Sequence, residues 1–412
     1  AVFILIYLGC ILALGLPCMV SEFIIGRHGS SNTYRAYANL LPKSAWKLVG
    51  LMGVLTGFLI TGYYAVVSGW CVQYVYASIM GELNGNSNYV QSYFQNFSSN
   101  PVKPAFWTIA ILLIAHFVII HGIRGGIEKA SKLLMPTLFI LLLVMVGSSL
   151  MLPQAGKGVE FLLKPDFTRV NQDVFLGALG QSFYSLSIAM GCICTYASYY
   201  TRKVNLLHSA IQISAIDTLV AVLAGLIIFP AAFSVGINPD SGPSLVFITL
   251  PNVFNQAFGG LPIVGWLVSL MFYTLLSLAA LTSLISLHEV STAFFSEELR
   301  ISRKYGAMIV TAATCLIGTF CSLSFGAVDF LNIAGKSLFD WFDFITGQIF
   351  LPVGGLLTCI FLGWFAPKQI VKDEFTNWGT ASVRLFGVYM FLVKYCCPLA
   401  ILAILLHQFH LI

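Results

Sequence analysis

The chain has 412 residues, of which 58% are hydrophobic and only 9% charged, and its mean hydropathy is +0.88. Soluble domains carry about a quarter charged residues, so this composition excludes a soluble globular protein and defines a polytopic membrane protein. The net charge of +5 is no nucleic-acid signal, because Lys and Arg are spread over short loops rather than gathered in one patch.

A membrane span needs roughly 20 apolar residues. Ten such segments follow one another, at about 1–25, 48–80, 105–123, 133–152, 176–200, 206–236, 260–295, 306–325, 338–365 and 385–409. With the 26–47 segment placed inside, fifteen Lys and Arg fall in the inner connections. Lys103, Lys157, Lys164, Arg169 and Lys336 lie outside, and Lys394 lies within a span. That three-to-one bias sets the orientation. The same assignment starts the chain on the outer side, inside a hydrophobic helix, at Ala1 rather than Met, and with no basic region typical of a signal peptide. At least one upstream helix is therefore expected.

The first span ends in Ser21-Glu22-Phe23-Ile24-Ile25-Gly26-Arg27 and leads to a basic segment with an expected short surface helix. The second holds Tyr63-Tyr64 and Ser68-Gly69-Trp70. Plain bulk is the simpler reading of two adjacent tyrosines, yet only one can face the bundle interior, and its hydroxyl would need a partner. Asn96-Phe97-Ser98 in the outer loop 81–104 is a formal glycosylation sequon, and Arg124-Gly125-Gly126-Ile127-Glu128-Lys129 is a tight basic inner turn.

Gln181 to Tyr200, QSFYSLSIAMGCICTYASYY, is the most informative stretch. Polar Gln181, Ser182, Ser185, Ser187, Thr195 and Ser198 surround Ala189-Met190-Gly191 at membrane depth. A helix that loosens around Gly191 frees backbone carbonyls beside hydroxyls, and such oxygens suit a dehydrated alkali cation or the polar end of a small solute.

Asp217 lies about halfway along the sixth span, where a carboxylate costs roughly 2.5–3.5 kcal/mol, so a functional role is the default reading over a packing pair. The outer loop 237–258, with Pro239, Gly242, Pro243 and Pro251, is expected to re-enter as a lid. Thr282 and Ser283 in the seventh span have the ordinary alternative of bonding back to their own helix, but their depth matches that of the polar stretch. Asp340 and Asp343 begin the ninth span, where acids usually act as solvated caps. The cysteines sit mostly in spans without C-x-x-C or zinc-type Cys/His spacing and read as small packing residues.

Tyr63-Tyr64 six residues before Trp70, Gly125 to Lys129, Ser185-Leu186-Ser187 leading to Thr195-Tyr196-Ala197-Ser198-Tyr199, Phe229-Pro230-Ala231 and Leu281-Thr282-Ser283 resemble the neurotransmitter:sodium symporter family. The likeness covers essentially the whole chain and is greatest to bacterial amino-acid transporters with eleven helices. It implies an all-α, leucine-transporter-like inverted-repeat fold. In those terms the chain starts at the second helix: residues 1–152 would be the rest of the first repeat, 176–366 the second, and 385–409 an extra C-terminal helix.

The resemblance also implies a site. Ser185 and Asp217 match positions around a first sodium ion. The Ala279 carbonyl with Thr282 and Ser283 matches a second. Tyr7, Gln181, Ser185 and Asp217 resemble the hub where animal relatives bind chloride, and a fixed carboxylate there would replace that anion. Ile60, Tyr64, Tyr184, Ser185, Ser187, Met190, Ser283 and Leu287 would line a pocket for a neutral, hydrophobic amino acid. Met190 replaces a common aromatic residue. Asp343 resembles an outer-gate acid, and Tyr199 and Glu297 an inner gate. The implied function is sodium-coupled amino-acid import through a lipid bilayer, that of the bacterial inner membrane, by alternating access. The alternative is a non-transporting paralogue or partner protein. An enzyme is disfavoured, because no nucleophile–base pair occurs at plausible spacing.

Overall fold

The computed structural model describes residues 2–235, 245–257, 262–379 and 383–409. The outer part of the expected lid, 237–244 with Pro239, Gly242 and Pro243, and its last residue, 258, lie outside them. The described residues contain helices and turns, with one isolated two-residue bridge between Ile333 and Lys336.

Nine helices among the described residues are long and apolar enough to cross a membrane: Val2–Gly29, Lys47–Met80, Lys103–Ile120, Ile123–Leu150, Leu206–Ser234, Pro262–Glu298, Arg303–Leu323, Leu338–Phe365 and Arg384–Gln408. They coincide with nine of the ten expected spans. The tenth, 176–200, is discontinuous, with helices Gln172–Ser185 and Cys192–Ala197 flanking an unwound stretch. Ser187, Ala189 and Gly191 there have φ of 54°, 65° and 74°. L-residues enter this left-handed region singly, never as a continuing helix, so the span breaks where the sequence mixes small and polar residues. Spans are numbered one to ten in chain order below, the broken one being the fifth.

Close packing in a membrane relies on small residues, because lipid tails are as apolar as the side chains they would replace. The second span follows that rule. A Cβ on Gly62 would meet Ile317 of the eighth span, and one on Gly69 would meet the backbone of Trp107 and Thr108 in the third. The same helix packs along the seventh span, forming the centre of the bundle.

The connections are folded against this centre. Thr33–Leu40 is the expected inner helix, started by Asn32, whose side chain accepts from Arg35 N at 3.2 Å. It is docked rather than lying free on the surface, with Ala36, Tyr37 and Leu40 buried. On the outer side, 245–257 turns inward as the expected lid requires. Leu250, Val253 and Phe254 are buried there, and the Phe247 carbonyl accepts from Tyr74 Oη at 2.9 Å. Phe247 also stacks edge-on against fully buried Trp70, with ring centroids 5.6 Å apart.

Candidate ion and substrate site

The last turn before the break carries Ser185, and the sixth span holds Asp217 opposite it. Ser185 Oγ donates to Asp217 Oδ2 at 2.5 Å. The hydroxyl of Tyr7, from the first span, bridges the two at 3.0 Å from Ser185 Oγ and 3.1 Å from Asp217 Oδ2. A carboxylate at membrane depth is thus held by two hydroxyls from two other spans, which leaves its second oxygen without a hydrogen-bond partner from this pair. Gln181, one turn earlier in the fifth span, lines the same recess beside Tyr7 and Ser185.

Across the cleft, Thr282 Oγ1 donates to the Ala279 carbonyl at 2.8 Å, and Ser286 Oγ donates to the Thr282 carbonyl at 3.2 Å. These are the back-bonds that Ser and Thr ordinarily make in a membrane helix. They use the hydroxyl proton of Thr282 and leave its oxygen lone pairs available. Ser283 is exposed to the cleft beside it. The two clusters supply carboxylate, hydroxyl and carbonyl oxygens, a donor set suited to hard cations rather than soft ones.

A cavity of about 620 Å³ lies between them, within the usual range for small-molecule sites. All eight residues expected to line the pocket, Ile60, Tyr64, Tyr184, Ser185, Ser187, Met190, Ser283 and Leu287, line it, together with Gln181, Asp217 and Thr282. Ile60, Met190 and Leu287 are buried, while Tyr184 is 45% exposed at the rim.

The break needs partners for its freed backbone groups, and the sequence reading missed the residues that provide them. Glu22, buried in the first span, accepts from Ala189 N at 2.5 Å through Oε1. Thr33 Oγ1 donates to the Gly191 carbonyl at 3.1 Å and lies 3.0 Å from Thr195 Oγ1. Backbone that is neither helical nor paired is tolerated at membrane depth only where protein satisfies it in this way. The available signal was Glu22 itself, an acid within an apolar run.

Tyr63 and Tyr64 divide between two environments. Tyr64 lines the cavity, whereas Tyr63 Oη donates to Asp343 Oδ1 at 3.1 Å and lies 3.2 Å from Thr346 Oγ1. The two acids of the ninth span also differ. Asp340 is the expected cap, accepting from Ser337 Oγ at 2.6 Å, whereas Asp343 accepts from Tyr63 of the second span. At the inner end Tyr199 and Glu297 are not hydrogen-bonded to each other. Tyr199 Oη donates to Glu289 Oε1 at 2.8 Å, and Glu289 also pairs with Arg303. Glu297 Oε2 accepts from Asn32 N and Asn32 Nδ2, both at 2.8 Å.

Below this, Arg27 at the end of the first span donates through Nε to Glu374 Oε2 at 2.6 Å. It also reaches the Glu374 and Val204 carbonyls at 2.8 and 2.5 Å. Burial pushes the Glu374 carboxyl up, but hydrogen bonds from His28 and Arg27, with the Arg27 charge, outweigh it and hold the group below the ordinary carboxylate range.

An all-helical membrane bundle with one broken span opening onto an oxygen-lined cavity is the architecture of a leucine-transporter-like secondary transporter. The solved structure of MhsT in complex with L-phenylalanine matches it with a TM-score of 0.88 at 36% identity, over 98% of this chain and 91% of that one. The model of the Sodium:neurotransmitter symporter family matches residues 96–411. The uncharacterized sodium-dependent transporter YhdH of Bacillus subtilis is 35% identical over 98% of this chain and 89% of its own length. A sodium-dependent transporter of Haemophilus influenzae is 33% identical over the same shares. The chain belongs to the sodium:neurotransmitter symporter family and is a multi-pass membrane symporter of that sodium-coupled class.

Proposed function

We propose that the chain imports a neutral, hydrophobic α-amino acid together with sodium, by alternating access and without a need for chloride. The observation that carries this reading is the hydrogen-bonded triangle of Tyr7, Ser185 and Asp217 on the wall of a largely apolar cavity beside a broken helix. In this proposal Ser185 and Asp217 ligate one sodium ion. The Ala279 carbonyl, Thr282 and Ser283 ligate a second, and the Asp217 charge in the hub with Tyr7 and Gln181 stands in for chloride.

The amino acid lies against Ile60, Tyr64, Met190 and Leu287, with Tyr184 closing over it and Ser187 and Ser283 near its polar end. The apolar wall suits a side chain such as that of phenylalanine, which MhsT holds in its solved structure. Asp343 serves the outer gate, and Tyr199 and Glu297 the inner one. The repeats are 1–152 and 176–366, with 385–409 added, and the host membrane is the bacterial inner membrane with the 26–47 segment inside.

Sodium drives uptake only through coupling: ion and substrate must each favour the other's bound state. Proteoliposomes holding the purified protein are expected to accumulate labelled phenylalanine or leucine under an inward sodium gradient. Accumulation that persists undiminished when choline replaces sodium overturns the proposal.

A further inference from the structure

Away from the cavity, three spans bring three cysteines together. Cys18 of the first span, Cys359 of the ninth and Cys397 of the tenth are buried, with all three Sγ atoms within 4.8 Å of one another. Cys18 Sγ and Cys359 Sγ are 3.3 Å apart. Sequence spacing concealed the group, because Cys18 lies hundreds of residues from Cys359 and Cys397 along the chain and the three share no short motif.

We propose that Cys18, Cys359 and Cys397 form a three-sulfur site for a soft monovalent cation, Cu(I). Metal–sulfur bonds of about 2.3 Å place the corners of a trigonal sulfur set about 4 Å apart, a spacing these atoms meet with little movement. Sulfur donors select soft ions such as Cu(I) over hard ones, so the site does not compete for sodium with the oxygen clusters. Thiolate is the ligand form, so a three-sulfur shell releases three thiol protons as one Cu(I) enters and leaves two net negative charges on the cluster. Of the nearby polar groups, Ser21 Oγ lies 2.9 Å from Tyr389 Oη, and the Ala13 carbonyl accepts from Cys397 Sγ at 3.9 Å. Occupancy ties the tenth span to the first and ninth.

The test titrates the reduced, purified protein under anaerobic conditions with the Cu(I) complex of bicinchoninate. Wild type is expected to withdraw one Cu(I) per chain, and Cys359→Ser and Cys397→Ser to lose that equivalent. Cys315→Ser, which alters a cysteine outside the group, is expected to retain it. X-ray absorption on copper-loaded wild type is expected to show a single shell of three sulfurs, and this measurement decides the matter if the serine variants do not fold. Failure to withdraw copper, an unchanged equivalent in folded Cys359→Ser, or a shell of two sulfurs or of nitrogen and oxygen overturns the proposal.

Discussion

Among single residues Asp217 stands out. Its charge is costly at membrane depth and is held by hydrogen bonds from Ser185 and Tyr7. Asp217→Asn keeps the shape and most of the hydrogen bonding but removes the charge. Transport by this variant is expected to fall to background with gluconate as the only anion and to return when about 100 mM chloride is supplied, a concentration at which a weakly held anion fills its site. Equal transport in both anions contradicts the charge-replacement reading. Across the cavity, Thr282→Val removes one oxygen at nearly constant volume. It is expected to raise the sodium concentration for half-maximal uptake about tenfold, equivalent to about 1.4 kcal/mol. Asp217 was legible in the sequence because a carboxylate in an apolar run stands out. Glu22 offered the same signal, but its position near the end of its span made it resemble part of the polar connection that follows. The partner of Tyr199 was not legible. Choosing between Glu289 and Glu297, two turns apart on one helix, depends on how the fifth and seventh spans are rotated against each other, and on Arg303 holding Glu289 in place.

At the scale of elements the broken fifth span is the feature the rest serves. Its existence was readable from the mixture of hydroxyls and small residues around Gly191, but its supports come from the first span and the Thr33–Leu40 helix and have no local signature. Glu22→Ala leaves Ala189 N–H without its acceptor, so it is expected to cost about 1–3 kcal/mol and lower the melting temperature of the purified protein. Glu22→Gln keeps an acceptor oxygen and should remain near wild type. A second element-level device ties the first span to the Lys368–Phe375 helix through Arg27 and Glu374. Glu374→Gln strands a buried guanidinium, at a cost of about 3–5 kcal/mol. Because the folded carboxyl lies below its ordinary value of about 4.5, its contribution is complete above that pH and lost as pH falls through the lowered value. The melting-temperature gap between wild type and Glu374→Gln should therefore be constant near neutral pH and close only below about pH 4.5. A gap that closes between pH 6 and 8 contradicts this assignment.

At the scale of the whole molecule, composition alone established a membrane bundle, and hydropathy placed nine continuous spans and one broken one close to where they lie. Periodicity could not reveal which faces meet, since a helix apolar on all sides gives no stripe to orient it. For the same reason the convergence of Cys18, Cys359 and Cys397 needed the packed fold to be seen. The oxygen clusters, by contrast, were foreshadowed because polar atoms at membrane depth are rare and each one narrows the choices. The proposed coupling has sodium and an amino acid occupy one cavity and stabilise each other there. Its most direct measurement is equilibrium binding of labelled phenylalanine or leucine to the purified protein across a sodium titration, paired with sodium binding across an amino-acid titration. Each ligand is expected to tighten the other by the same factor, about 5- to 150-fold for a coupling of about 1–3 kcal/mol. Amino-acid affinity that is the same in sodium and in choline would contradict it.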